Sequence, residues 1–379
     1  MTLHVFNPEH DIALAANLGN FTAPRAGRLL RRGLGFLPAL WAKEGDGVLV
    51  DDVESARSSL CQLASAAKEQ LGISMRTEVA WQDSRSVLRG VDAVNPWGWD
   101  VALRRRLSMM GVADDVLPDD GQLARIRELS HRRVAARVLG QLLSDGIGHV
   151  TGEVPVECFS AEEVEAAVAR VGQAVIKAPW SSSGRGLRFV GNMVEGQSLQ
   201  GWLRNVIDRQ GSVMVEPLYE KVRDFGMEFE AHADGTVVYR GLSLFHTANG
   251  AYTGNIVATE QTKREMMGKY VSLETLDRLR EAICHHLAEM LRGGYCGPLG
   301  IDMMVCNNVL ADCKSARTEL VTGQKERVNV EKGFLIHPCV EINLRRTMGH
   351  VALALTPIDD DRVAVMQVST SALLLRALS

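Results

Sequence analysis

The sequence predicts a mixed α/β (α+β) protein built from more than one unit, and three observations carry that expectation. Its 379 residues exceed what one hydrophobic core usually serves. Residues 1 to about 117 alternate short apolar runs with helical patterns, which implies a small parallel sheet. Beyond them, strand patterns return directly after short polar loops, which implies antiparallel pairing.

Composition narrows the class of partner. With 46% hydrophobic and 23% charged residues the chain reads as an ordinary globular protein. A formal net charge of -4 gives no electrostatic case for nucleic acid or an anionic membrane. Arg104-Arg105-Arg106 and Arg132-Arg133 are too short to form a binding stripe. Seven scattered cysteines without a CxxC pair argue against a disulfide framework or structural zinc and suit a reducing cytoplasm. Met1 to Phe6 reads as a strand, not as the basic start of a leader, and no apolar run reaches membrane-spanning length. The expected location is cytoplasmic.

Strand patterns fall at Leu3 to Phe6, Gly47 to Val50 and Ala93 to Asn95, with a helix over Ser55 to Leu71. No GxGxxG follows the first strand, so dinucleotide binding has no support. Two polar clusters, Asn7-Pro8-Glu9-His10-Asp11 and Asn95-Pro96-Trp97-Gly98-Trp99-Asp100, come directly after strands. Loops in that position line the ligand crevice of parallel sheets, although Asn-Pro also serves as a plain helix start.

Gln122 to Leu143 has the periodicity of one helix, and Ser160 caps another running to Val171. Ala174 to Lys177 reads as a strand, Ser181 to Gly186 as a small-residue loop, and Leu187 to Val190 as the returning strand. A hairpin of this kind is not the GxxxxGK[ST] loop, which opens a helix. Small residues let backbone N–H groups approach an anion, and serines and Arg185 add donors. A linker helix covers Leu199 to Arg209, and Val213 to Leu218 is a strand stopped by Pro217. Phe225 to Ala231 sets Glu228 and Glu230 on one face. Val237 to Phe245 is a strand, His246 to Asn255 a polar loop, and Leu273 to Arg292 a helix whose adjacent histidines are structural.

Gly297 to Val305 is a strand with one acid, Asp302, in an apolar run, where it needs a partner or a metal. Residues 307–333 form a polar insertion, and Gly333 to Arg345 returns antiparallel to the Asp302 strand. On that returning strand Glu341, Asn343 and Arg345 share one face, while Val340, Ile342 and Leu344 turn to the core. The remainder, 356–379, reads as a helical tail.

The ordered set Lys177, Ser181 to Gly186, Glu216, Asp302 and Glu341-Ile342-Asn343-Leu344-Arg345 resembles the ATP-grasp superfamily. The resemblance spans about 118–355 and implies two α+β subdomains gripping ATP, about 150–212 and 213–355, preceded by the small α/β domain of 1–117. It implies that Lys177 contacts phosphates, that Ser182, Ser183, Gly184 and Arg185 cover them, and that Glu216 and Leu218 form the adenine hinge. Glu228 is assigned to the ribose, and Asp302, Glu341 and Asn343 to magnesium, with two ions expected and Mn2+ an acceptable substitute. Arg132 stands where many members have a second lysine. Some ligases carry an arginine two residues before the metal Asp; Gly300 holds that position here, so Arg345 or Arg346 must neutralise the transferred phosphoryl group.

The implied activity is that of an ADP-forming carboxylate–amine ligase, which activates a carboxylate as an acylphosphate for attack by an amine or similar nucleophile. Small-molecule or peptide acids and amines are the implied partners, and a homodimer is the default assembly. A small-molecule kinase would use the same site, and a nucleotide-binding module without turnover is the non-enzymatic alternative. Candidate pocket residues are His10, Asp11, Asn95, Trp97, Trp99, His246, Tyr252 and Asn255.

Overall fold

Strand β1 (Thr2–Val5) buries Leu3 and Val5 on one face of a sheet and His4 on the other, as a period of two requires. The architecture comes from a computed structural model, which describes residues 1–181, 186–191, 193–248, 251–308, 333–357, 362–369 and 372–378. After β1 come α1 (His10–Ala16), α2 (Arg25–Leu34), β2 (Gly47–Leu49), α3 (Val53–Leu71), β3 (Ala80–Gln82), β4 (Ala93–Pro96) and α4 (Val101–Met109). The four strands run parallel in the order β3-β2-β1-β4. The expected parallel N-terminal sheet is therefore present, with β3 an additional edge strand that is partly exposed and has no clear apolar alternation.

The helix expected over Gln122 to Leu143 is two helices, α5 (Asp120–Leu129) and α6 (Arg132–Ser144). The break is made by His131, whose Nδ1 accepts from the Arg133 amide at 3.0 Å and caps α6. Burial and the nearby Arg133, Arg127 and Arg132 push the His131 pKa down to about 3, so its ring stays neutral and able to accept. The cap puts Arg132 at the first position of α6.

Next come β5 (Val156–Cys158), α7 (Ala161–Val171), β6 (Ala174–Lys177), β7 (Leu187–Val190), α8 (Gln197–Gln210) and β8 (Val213–Pro217). These strands form an antiparallel sheet ordered β5-β8-β6-β7 over its own core of Val164, Val168, Ile176 and Leu203. A second antiparallel sheet begins with β9 (Lys221–Ala231) and β10 (Val237–Ser243). The polar loop expected from His246 to Asn255 is instead a pair of strands, β11 (Phe245–Ala248) and β12 (Ala251–Val257). Tyr252 and Asn255 are strand residues whose side chains bond each other at 2.5 Å.

Helices α9 (Glu260–Met267) and α10 (Leu273–Leu291) precede β13 (Gly297–Asn307) and β14 (Phe334–Asn343), which complete the order β10-β9-β13-β14. The insertion lies almost wholly outside the described residues. Helix α11 (Met348–Ala354) follows, capped by Thr347.

The helical tail is not found. Residues 364–368 and 373–377 are strands β15 (Ala364–Val368) and β16 (Leu373–Ala377), which extend the sheet β11-β12-β15-β16. Short apolar runs carry no decisive period, and here pairing with β12 decides them. Met366 and Leu375 pack with Leu60, Leu63 and Leu71 of α3, so the last strands share a core with the N-terminal unit.

Candidate functional site

Two neighbouring strands set the floor of the site. Asp302 on β13 stands opposite Glu341 on β14, and Gly300 opposite Asn343. The register shifts between Asp302 and Met304, next to Pro338, which cannot donate to a ladder and belongs at such a bulge. Ile342 and Leu344 are buried as alternation requires, but Val340 past the bulge is only partly buried and lines a small side pocket.

The acids are crowded. Burial, then Glu341 and then Glu228, push the Asp302 pKa up to about 7. Arg132 holds Glu341 at 2.9 Å and is itself fixed by the Ala178 carbonyl at 3.0 Å. Arg345 donates to both carboxylate oxygens of Asp11, at 2.9 and 2.8 Å, and to Asn343 Oδ1 at 2.8 Å. Although burial opposes both charges, the pairing holds the Asp11 carboxyl below its usual range and raises the Arg345 guanidinium. With its oxygen accepting from Arg345, the Asn343 amide nitrogen is the group left to donate to Asp302, and the amide would have to present its oxygen there to ligate a cation. Arg346, the other arginine offered for the phosphoryl group, packs over the Trp41 ring at 4.4 Å instead.

Glu228 on β9 lies with these acids, apart from Lys177 and Glu216. Its Oε1 accepts from Thr347 at 2.8 Å. His350 Nδ1 is 3.0 Å from Oε2, but that nitrogen already takes the Thr347 amide, while Nε2 faces the Phe229 carbonyl. Oε2 is therefore buried without a hydrogen-bond partner. A Cβ on Gly300 would stand 2.5 Å from Oε2, and one on Gly349 would overlap Oε1. A side chain at position 300 would therefore have to displace the Glu228 carboxylate and the Thr347 methyl group.

Most of these side chains line one cavity of about 290 Å³, to which Phe6, Leu34 and Trp97 of the N-terminal unit add apolar lining. Asp11, Trp97, Tyr252 and Asn255 are the sequence candidates that reach it. The hairpin contributes Ser181 and Leu187. Ser182, Ser183, Gly184 and Arg185 lie outside the described residues.

Lys177 and Glu216 are brought together, but beside this cavity. They form an ion pair across β6 and β8, both less than a tenth exposed, and with Arg132 and Cys339 line the small side pocket. Leu218 is not brought to either; its side chain is 42% exposed and its amide already donates to the Gln173 carbonyl at 2.9 Å. The polar loops after β1 and β4 are locked to each other. The Asn7 amide spans the Gly98 carbonyl (2.8 Å) and N–H (3.3 Å), and His10 meets Asp100 at 3.2 Å.

Sequence reasoning missed Thr347 and Ser243 in the cavity, and the roles of Asp11 and Arg132 as partners of Arg345 and Glu341. Gly300 was the available signal for Thr347, since a glycine within a strand marks a close approach.

No family model matches the chain, and no curated protein matches it. Among solved structures it is similar to N5-carboxyaminoimidazole synthetase from Staphylococcus aureus complexed with ADP, at 9% identity and a TM-score of 0.48, covering 97% of this chain and 81% of that one. It is similar to a biotin carboxylase–β-γ-ATP complex from Campylobacter jejuni at 12% identity and 0.49, covering 97% and 75%. An ATP-grasp superfamily protein from Archaeoglobus fulgidus matches at 12% and 0.47, over 100% of both chains. Likeness at this level carries no weight for an activity, which must be sought in the residues of the cavity.

Proposed function

We propose that the chain is an ATP-grasp enzyme, a magnesium-dependent ligase that activates a carboxylate at the cost of ATP for attack by an amine or similar nucleophile. The observation that carries this reading is the in-register pair of Asp302 and Glu341, with Asn343 two residues on, in a cavity that also holds Arg132 and Arg345. An all-oxygen donor set suits a hard dication, and Asp302, raised first by burial and then by two neighbouring acids, is a carboxylate that such an ion would stabilise. Asp302, Glu341 and Asn343 would hold the ion, which supplies charge neutralisation for phosphoryl transfer.

The chain's own residues supply the rest. Asp11 fixes the Arg345 fork, so its charge is already oriented when a phosphoryl group arrives. Arg132, anchored through Nε to the Ala178 carbonyl, would turn its outer nitrogens from Glu341 to a phosphate once a cation took its partner. Lys177 pairs in register with Leu187, which lines the cavity, and on release from Glu216 would reach toward phosphates. Phe6, Leu34 and Trp97 keep water from an acylphosphate, which water would otherwise destroy.

The test is ADP release by the purified chain with ATP and Mg2+, screened against pools of acids and amines. Release that requires both an acid and an amine supports the ligase; release with a hydroxyl compound alone would make it a kinase. No magnesium-dependent turnover with any pool, alongside no thermal shift with Mg-ATP, removes the reading.

A further inference from the structure

A second and larger cavity, of about 610 Å³, opens on the other side of the loop that follows β1. Residues alternate along that loop. Phe6, Pro8 and Asp11 line the acidic cavity, whereas Asn7 and Glu9 line this one. Four arginines (Arg28, Arg31, Arg105 and Arg106) face two acids, Glu9 and Asp100.

Both acids are already committed. Glu9 pairs with Arg31. Asp100 takes Asn7 at 3.2 Å, His10 at 3.2 Å and the Leu103 amide at 2.9 Å, as the cap of α4. Behind the wall, Asp51 is shared between Arg31 at 3.0 Å and Arg106 at 3.5 Å. Arg28 donates to a neutral group, the Ala23 carbonyl, at 2.5 Å. Arg105 is exposed at the rim. Positive charge is therefore left over in a concave, partly desolvated space, and burial and the adjacent Arg31 push the Arg106 guanidinium pKa down.

We propose that this cavity is a binding site for a small organic or inorganic anion, bearing carboxylate or phosphate groups held by Arg28, Arg105 and Arg106. Guanidinium forks match both groups in bidentate geometry. The position agrees with the rule that ligands of open parallel sheets bind beyond the carboxyl ends of the strands. Glu9, His10 and Asp11 are consecutive, so an anion seated here bears on the segment that holds Arg345 in the other cavity.

The experiment is isothermal titration of the full chain with citrate and, separately, inorganic phosphate, at constant ionic strength and without nucleotide or magnesium. Glycerol is the neutral control. The expected result is saturable binding of at least one anion, weakened about ten-fold or more by Arg106→Gln and by Arg28→Gln. Arg170→Gln, an exposed charge on α7, should leave it unchanged. Arg28 is exposed, so its variant stays folded if the Arg106 variant does not. Which anion binds distinguishes a carboxylate from a phosphate ligand. Absence of saturable binding, or equal loss in the Arg170 variant, overturns the site; neither outcome bears on ATP turnover, which the titration omits.

Discussion

Two charge clusters lie next to each other in this chain and follow opposite rules. Lys177 and Glu216 are one cation and one anion, adjacent on β6 and β8 and almost completely buried. Asp302, Glu341 and Glu228 bring three acids together on β13, β14 and β9, while Arg132 answers Glu341 and Arg345 is largely engaged by Asp11. The first cluster is closed and complete. The second is left with a carboxyl pushed up to about 7 by burial and its acidic neighbours, a cost to stability that a cation would reverse. The contrast separates a pair that can hold two strands together from a set that is finished only by a ligand.

The sharpest way to break the contrast is to remove the acids. Asp302→Ala and Glu341→Ala are each expected to lower magnesium-dependent ATP turnover by about 1,000-fold or more, the scale of losing preorganised charge at a reacting phosphate. Asp302→Ala should not lower Tm by more than a few degrees, because a carboxyl buried among acids is removed, whereas Glu341→Ala leaves Arg132 without its partner and should cost more. Steady-state ADP release and thermal melts on the same preparations measure both. Turnover retained in both variants would sink the metal assignment.

The opposite outcome is expected across the side pocket. Lys177→Met leaves the Glu216 carboxylate buried and unpaired, and should destabilise the fold by about 3–5 kcal/mol in urea melts. Adding Glu216→Leu should restore most of that loss, since an apolar pair can replace a buried ion pair at little cost. If Lys177→Met is neutral, the pair is not structural and Lys177 is already free for a phosphate.

How much of this could be read from the chain follows from the distance over which each residue is determined. The β13–β14 floor was legible because its signals are local: one acid in an apolar run, and three polar residues two apart. The hairpin flanked by Lys177 and Leu187 was legible for the same reason. The ion pair of Asp11 with Arg345 joins residues 334 positions apart, and nothing local in either segment announces it. His131 as a cap was hidden because a histidine accepts only when kept neutral, which its burial among arginines ensures. Strands β15 and β16 read as helix from sequence because five apolar-rich residues fit either period, and only the pairing of β15 with β12 decides between them. Pro338 and Gly300 carried information that a simple alternation discards, one marking the bulge and the other the space filled by Glu228.

The smallest effect tests the surplus charge directly. An Asp302 carboxyl with a pKa of about 7 when folded and an ordinary 3.8 when unfolded binds its proton more tightly in the native state. Native stability contributed by that proton is present below pH 4 and is lost as pH rises through 7. Asp302→Asn cannot ionise and should lack this slope. The variant is therefore expected to match the parent near pH 4 and to exceed it at pH 8, by on the order of 2 kcal/mol in urea melts. Magnesium should flatten the slope of the parent, because a cation favours the carboxylate, and should leave the variant almost unmoved. Parallel pH profiles for the two chains would mean that Asp302 is already ionised and compensated, and the two clusters would then obey one rule.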